Sequence, residues 1–135
     1  MLPRMSAADL PIHLRIPLGQ GLRFGPGKAD LLTRIRETGS VAAAAAAMGM
    51  SYRRAWSLVA EANRAFRAPL VELSRGGEGG GGARLTKEGE AVLASYRALE
   101  DLVLTEGAAY LAAIRDRADM TAREEAAPGD MSDRK

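Results

Sequence analysis

The stretch SVAAAAAAMGMSYRRAWS, Ser40 to Ser57, is punctuated at three points that decide the fold. Ser40 is a helix-capping type, and the alanines after Val41 combine the best intrinsic helix propensity with the least bulk. Gly49 can take the left-handed conformation that ends a helix, Met50 can plug a core, and Ser51 can cap a second helix. Two short helices joined by a tight glycine turn predict a helix-turn-helix. Its caps at both ends make the alanine run a bounded helix that packs close to its neighbours, not low-complexity sequence.

The helix that Ser51 opens runs to about Phe66. Ala55, Val59, Ala62 and Phe66 recur at spacings of four, three and four, which puts them on one apolar face. Ser51, Tyr52, Arg53, Arg54 and Ser57 gather instead at its N-terminal end, where a recognition helix meets base edges. Arg53 and Arg54 are the candidates for reading guanine through its O6 and N7. Trp56 reads as packing more than as a stacking platform. Arg64 and Arg67 fit either phosphate contacts or a solvated face.

Working toward the N-terminus, GPGKADLLTRIRETGS predicts a helix with Pro26 in its first turn, Leu31, Leu32 and Ile35 on its inner face, and a stop at Gly39. Before it, IHLRIPL alternates Ile12, Leu14, Ile16 and Leu18 with polar residues, and GQGLRFG returns with Leu22 and Phe24. This pattern predicts a short hairpin with His13 on its surface.

In the other direction, APLVELS predicts a short strand with Leu70, Val71 and Leu73, and ARLT a second. Between them lies SRGGEGGGGARLTKEGE, Ser74 to Glu90, with six glycines in seven positions. A P-loop would need Lys and then Ser or Thr directly after the last glycine, and Ala83-Arg84-Leu85 stands there. A dinucleotide fingerprint would need a strand-helix-strand unit around it. What remains is a flexible linker or a wing. The strand-like flanks and the basic shoulders Arg75 and Arg84 favour the wing, whose bare tip can approach a sugar-phosphate backbone closely. Such a tip, Gly76 to Gly82, is expected to be mobile without DNA.

Thr86 opens a long helix with no proline between Lys87 and Asp116. Glu88 and Glu90 complement the dipole of its first turn and are not read as a catalytic pair. Val92, Tyr96, Leu99, Val103, Tyr110 and Ile114 line one face. A helix of ~30 residues is ~45 Å long, too long for a domain this small to cover, so these six are the expected dimerisation residues.

The chain of 135 residues has room for one domain, and its 47% apolar content can form a core. It has no cysteine, which excludes disulfides, thiolate zinc sites and cysteine nucleophiles, and its one histidine is too few for an imidazole-based metal site or for a Ser/His pair plus a second shell; no enzymatic activity is expected. No apolar run resembles a signal peptide or a membrane span, so a cytoplasmic protein without membrane contact is expected. The formal charge of +2 hides segregation. From Ser51 to Lys87 seven bases face three acids, net +4, and from Glu88 to Glu106 one base faces five acids, net −4. A basic region of that kind suits a polyanion.

The segment RETGSVAAAAAAMGMSYRRAWSLVAEANRAFRAPLVELSRGGEGGGGARLTKEGE resembles the N-terminal DNA-binding domain of molybdate-responsive regulators of the ModE type, themselves similar to LysR-type winged helices. The resemblance extends from about Leu10 to Leu104 and is most specific in GMSYRRAW and GGGGARLT. It implies a mainly α fold with a small β wing: a winged helix-turn-helix with an N-terminal hairpin and a long C-terminal dimerisation helix. It also implies a homodimer on a palindromic operator in double-stranded DNA. The recognition helix would then be Ser51 to Phe66, and Arg75, Arg84 and Lys87 would bind phosphates. The family's full-length members continue into oxyanion-binding domains, whereas this chain runs into a polar tail; no cofactor and no molybdate site is expected in it. The resulting division is a flexible N-terminus over 1–10, the winged domain over 11–85, the dimerisation helix over 86–117 and a disordered tail over 118–135. The alternative is a truncated regulator that heterodimerises with a full-length relative and modulates it.

Overall fold

The computed structural model describes residues 10–77 and 80–118, with the backbone alone for 75–77 and 80–81. The flexible N-terminus and disordered tail expected from the sequence therefore fall, but for one residue each, outside the described residues, as does the tip of the glycine hairpin at Glu78 and Gly79. The chain divides after Glu100 into two units.

The first unit begins with a hairpin of β1 (Ile16–Gly19) and β2 (Leu22–Phe24), paired antiparallel with Ile16 opposite Phe24. The alternation that begins at Ile12 predicted a longer strand. β2 ends at Phe24 because Pro26 already starts the next helix, so nothing stands opposite residues 12–15 for them to pair with. Three helices come next: α1 (Pro26–Thr38), α2 (Val41–Met48) and α3 (Tyr52–Ala65). Leu31, Leu32 and Ile35 of α1 are buried against Val41, Ala44 and Ala45 of α2 and against Ala55, Leu58, Val59 and Ala62 of α3. The alanines let α2 sit close to both neighbours, as its lack of bulk requires. Phe66, expected on the apolar face of α3, is instead the extended residue that ends it. It still joins the core by an edge-to-face contact with Phe24 at 6.1 Å.

The wing is a second antiparallel hairpin, β3 (Val71–Gly77) with β4 (Gly80–Leu85). Gly76, Gly77 and Gly80 to Gly82 belong to the strands themselves, since pairing continues out to Gly77 opposite Gly80. A winged helix-turn-helix results. Asn63 anchors the base of the wing to α3: its Oδ1 accepts from the amides of Leu70 and Val71 at 2.8 and 3.0 Å, and its Nδ2 donates to the Val71 carbonyl. The Ala83 amide donates to the Gly39 carbonyl at 2.9 Å, which ties β4 to the α1–α2 corner.

Thr86 caps α4 (Lys87–Glu106) by accepting from the Gly89 amide at 2.9 Å, and its hydroxyl donates to the Pro69 carbonyl at 2.7 Å. The helix start is thereby fastened to the segment that leads into the wing. Gly89 lies against the backbone of Leu70, and a Cβ there would collide with the Leu70 carbonyl oxygen. Tyr96, expected at a dimer interface, is a core residue of the protomer. It is 2% exposed, stacks edge to face on Phe24 at 5.2 Å and donates from its hydroxyl to the Leu14 carbonyl at 2.7 Å. Helical spacing could not separate a partner-facing position from one facing the chain's own hairpin. Beside it, Arg97 donates to Thr33 at 2.8 Å and pairs with Asp30 at 3.2 Å and Glu100 at 3.1 Å. These carboxylates are almost wholly buried, so the guanidinium is what makes their burial tolerable.

The second unit holds the end of α4, Gly107 and α5 (Ala108–Asp116). The sequence predicted one uninterrupted helix over 86–117, and the structure has two. Gly107 takes φ −96° and ψ 4°, outside the helical range, and a Cβ there would collide with the Val103 carbonyl oxygen. Glycine is the poorest helix former after proline, and the stretch lacks proline but not glycine. Among the described residues no helix is long and apolar enough to cross a membrane.

Two outcomes are expected. Gly89→Ala should destabilise the fold by about 3 kcal/mol in denaturant titration, because backbone must move to admit the methyl group. Tyr96 has its pKa pushed up from 10.0 to about 12, first by burial and then by the charge of Glu100, against the opposing Arg97. The folded value is the higher one, so this contribution is complete below pH 10 and is lost as pH rises through about 12. Tyr96→Phe should flatten the decline of Tm over that window, while costing about 1–3 kcal/mol at neutral pH through the unmet Leu14 carbonyl.

Candidate nucleic-acid interface

The corner between α2 and α3 is built as its residues require. Ser40 caps α2 by accepting from the Ala43 amide at 3.0 Å. At the other end Gly49 sits at φ 68°, ψ 27°, and the Met50 amide reaches back to the Ala45 carbonyl at 3.0 Å. That closes α2 with a left-handed cap. Ser51 then caps α3 by accepting from the Arg54 amide at 3.0 Å. Met50 packs against the core between the two caps.

With Ala55, Leu58, Val59 and Ala62 facing inward, Ser51, Tyr52, Arg53, Arg54 and Ser57 are all left exposed at one end of α3. Tyr52 is 56% exposed and leans on Trp56 with rings 6.0 Å apart and nearly perpendicular. Trp56 in turn packs against the core, as its position suggested, and so holds the tyrosine in place. Neither Arg53 nor Arg54 has an ion pair among the described residues.

The wing lies alongside. Tyr52, Trp56, Val41, Leu73 and Ser74 line a concavity of about 220 Å³ between α2, α3 and the base of the hairpin. Leu73 is half exposed there, a large apolar residue left at a surface. Arg84 pairs across the strands with Glu72 at 3.4 Å, both well exposed. Its charge is thus shared, although an exposed pair of this kind is worth only ~0–1 kcal/mol and exchanges readily. Arg75's side chain lies outside the described residues. Lys87 is exposed at the start of α4.

A second depression, of about 290 Å³, opens on the other side of α3. Arg54 lines it together with Arg15, Arg23 and Lys28. Arg15 and Arg23 were not singled out in the sequence. The signal was their place at outward positions of the N-terminal segment and β2, read there only as hairpin alternation. Among the described residues no group of three His, Cys, Asp or Glu side chains is placed to hold a metal.

Residues 28–90 match the family described as bacterial regulatory helix-turn-helix protein, lysR family. They are a LysR-type helix-turn-helix domain. The match covers all of α2, α3 and the wing and most of α1, and ends in the first turn of α4. The chain that carries this LysR-type domain is 45% identical over 80 residues to the molybdenum-pterin-binding protein MopB of Rhodobacter capsulatus, covering 59% of this chain and 30% of that protein. It is 42% identical over 96 residues to MopA of the same organism, covering 71% and 36%. To the transcriptional regulator ModE of Yersinia pestis it is 40% identical over 85 residues, covering 63% and 32%. The chain thus spans about a third of the length of these relatives.

The Ser51 cap is the local feature that presents the exposed end of the LysR-type domain's third helix. Ser51→Ala should cost about 1 kcal/mol of stability, measured by chemical denaturation, whereas Ser51→Asp should retain most of it.

Proposed function

We propose that this chain is a DNA-binding transcriptional regulator that acts as a homodimer on an inverted-repeat operator. The observation that carries the reading is the exposed group Tyr52, Arg53, Arg54 and Ser57 at the capped end of a helix whose other face is buried. A helix end anchored in this way enters the major groove without having to order itself first. Arg53, exposed and unpaired among the described residues, reads guanine through O6 and N7. Arg75, Arg84 and Lys87 bind phosphates and set the register, with Arg84 leaving Glu72 for the stronger partner.

Two features support the dimer. In the first unit Leu99 is 38% exposed beside the partly covered Val92. In the second unit Leu102, Tyr110 and Ile114 are 55, 76 and 68% exposed, and α5 buries no residue at all. A second copy supplies the cover these side chains lack. The relatives named as transcriptional regulators support the same reading.

The test compares Arg53→Ala with the wild-type chain on a duplex selected from a random pool and on its scrambled counterpart. The variant is expected to lose about 1–3 kcal/mol of preference between them. If it weakens both duplexes alike, Arg53 does not read bases. Light scattering on the same samples should return the mass of two chains.

A further inference from the structure

The depression lined by Arg15, Arg23, Lys28 and Arg54 holds four cations, against which stands Glu61, paired with Lys28 and also within reach of the charge of Arg54. Lys28 is largely buried, donates to the Arg23 carbonyl at 2.9 Å and pairs with Glu61 at 2.9 Å. That contact holds the Glu61 carboxyl below its ordinary pKa, chiefly through the lysine's hydrogen bond and charge. Arg15, Arg23 and Arg54 have no side-chain hydrogen bond or ion pair among the described residues, and all three are exposed. The stem of Arg15 lies across Gly25, where a Cβ would come within 3.1 Å of its Cγ. The glycine therefore lets that guanidinium reach the depression from the segment before β1. The first turn of α1 adds no acid to offset the charge.

Four cations from separate segments around one concavity, with one carboxylate to answer them, leave an excess of positive charge that attracts a further anion. The patch shares Arg54 with the exposed end of α3, so it continues the proposed DNA surface past the recognition helix, away from the wing. We propose that Arg15, Arg23 and Arg54 grip the DNA backbone, flanking α3 on the side opposite the wing. Arg54 is then a phosphate contact, and base reading in α3 rests on Arg53. This inference depends on the DNA-binding reading above.

A duplex bound at α3 is thereby held from both sides, by the wing on one and by this patch on the other. Phosphate contacts on both sides fix the roll of the helix in the groove, which a wing alone leaves free.

The test measures affinity for the selected and the scrambled duplex between about 50 and about 200 mM salt for the full chain and for Arg15→Ala/Arg23→Ala. Each lost phosphate contact should lower the slope of log affinity against log salt by about 0.9, so the double variant should lose about 1.8. Its ratio of affinities for the two duplexes should stay unchanged. Arg15→Lys/Arg23→Lys should recover most of the slope, which a role in packing would not produce. Arg54→Ala should weaken both duplexes equally; a collapse of the ratio would return Arg54 to base reading and overturn that assignment. An unchanged slope in the double alanine variant, with wild-type binding intact, would overturn the patch alone. Saturable binding of inorganic phosphate without DNA, lost in the double variant while DNA affinity is kept, would overturn it in favour of a free oxyanion. If the wild-type chain binds no duplex, the DNA reading fails and this one with it.

Discussion

The surface proposed to meet DNA is aimed by the corner at Gly49. The left-handed residue there lets the Met50 amide close α2, and one residue later Ser51 opens α3. Two helix ends are satisfied within three residues, which leaves little freedom in the angle between them. That angle decides which residues of α3 face Val41, Ala44 and Ala45 and which face outward. With Ala55 and Val59 turned in, Tyr52 and Arg53 have nowhere to go but solvent.

The remaining parts hold this corner in place from three directions. Asn63 fastens the far end of α3 to the base of the wing, and the Ala83 amide fastens the wing to the α1–α2 corner. Thr86 and Gly89 bring α4 against Leu70. Arg97, with Asp30 and Thr33 of α1, locks α4 to the first helix at the price of two buried carboxylates. A buried pair broken on one side is costly, so this cluster favours a single seating of α4 over a sliding one. The basic surface thus rides on a frame tied both by near contacts, as at Asn63, and by long-range ones, as at Thr86, Tyr96 and Arg97.

What could be read from the sequence was local. Ser40, Gly49 and Ser51 announce their caps within three or four residues of their partners, and Leu31, Leu32 and Ile35 announce their face by period. The wing was legible because basic shoulders and strand-like flanks bracket the glycines. Contacts that span the chain were not legible: Tyr96 finds Leu14 across 82 positions and Arg97 finds Asp30 across 67. Helical period placed Tyr96 on the apolar stripe of α4 and could not say whether hairpin or partner covers it. The break at Gly107 has no such local mark: unlike Gly39 and Gly49 it is followed by no capping serine, and a lone glycine inside a helical pattern is often tolerated. Arg15 and Arg23 went unread because their meaning lies in meeting Arg54, which only the fold brings about.

On the proposed reading the N-terminal end of α3 enters DNA while its inner face keeps the fold. Amide hydrogen exchange of the full chain with and without duplex DNA tests it most directly. Added protection is expected over Ser51 to Ser57 and at Gly82 to Arg84, with the buried centre of α1 unchanged. Protection confined to α4 and α5, with none at the start of α3, would contradict it.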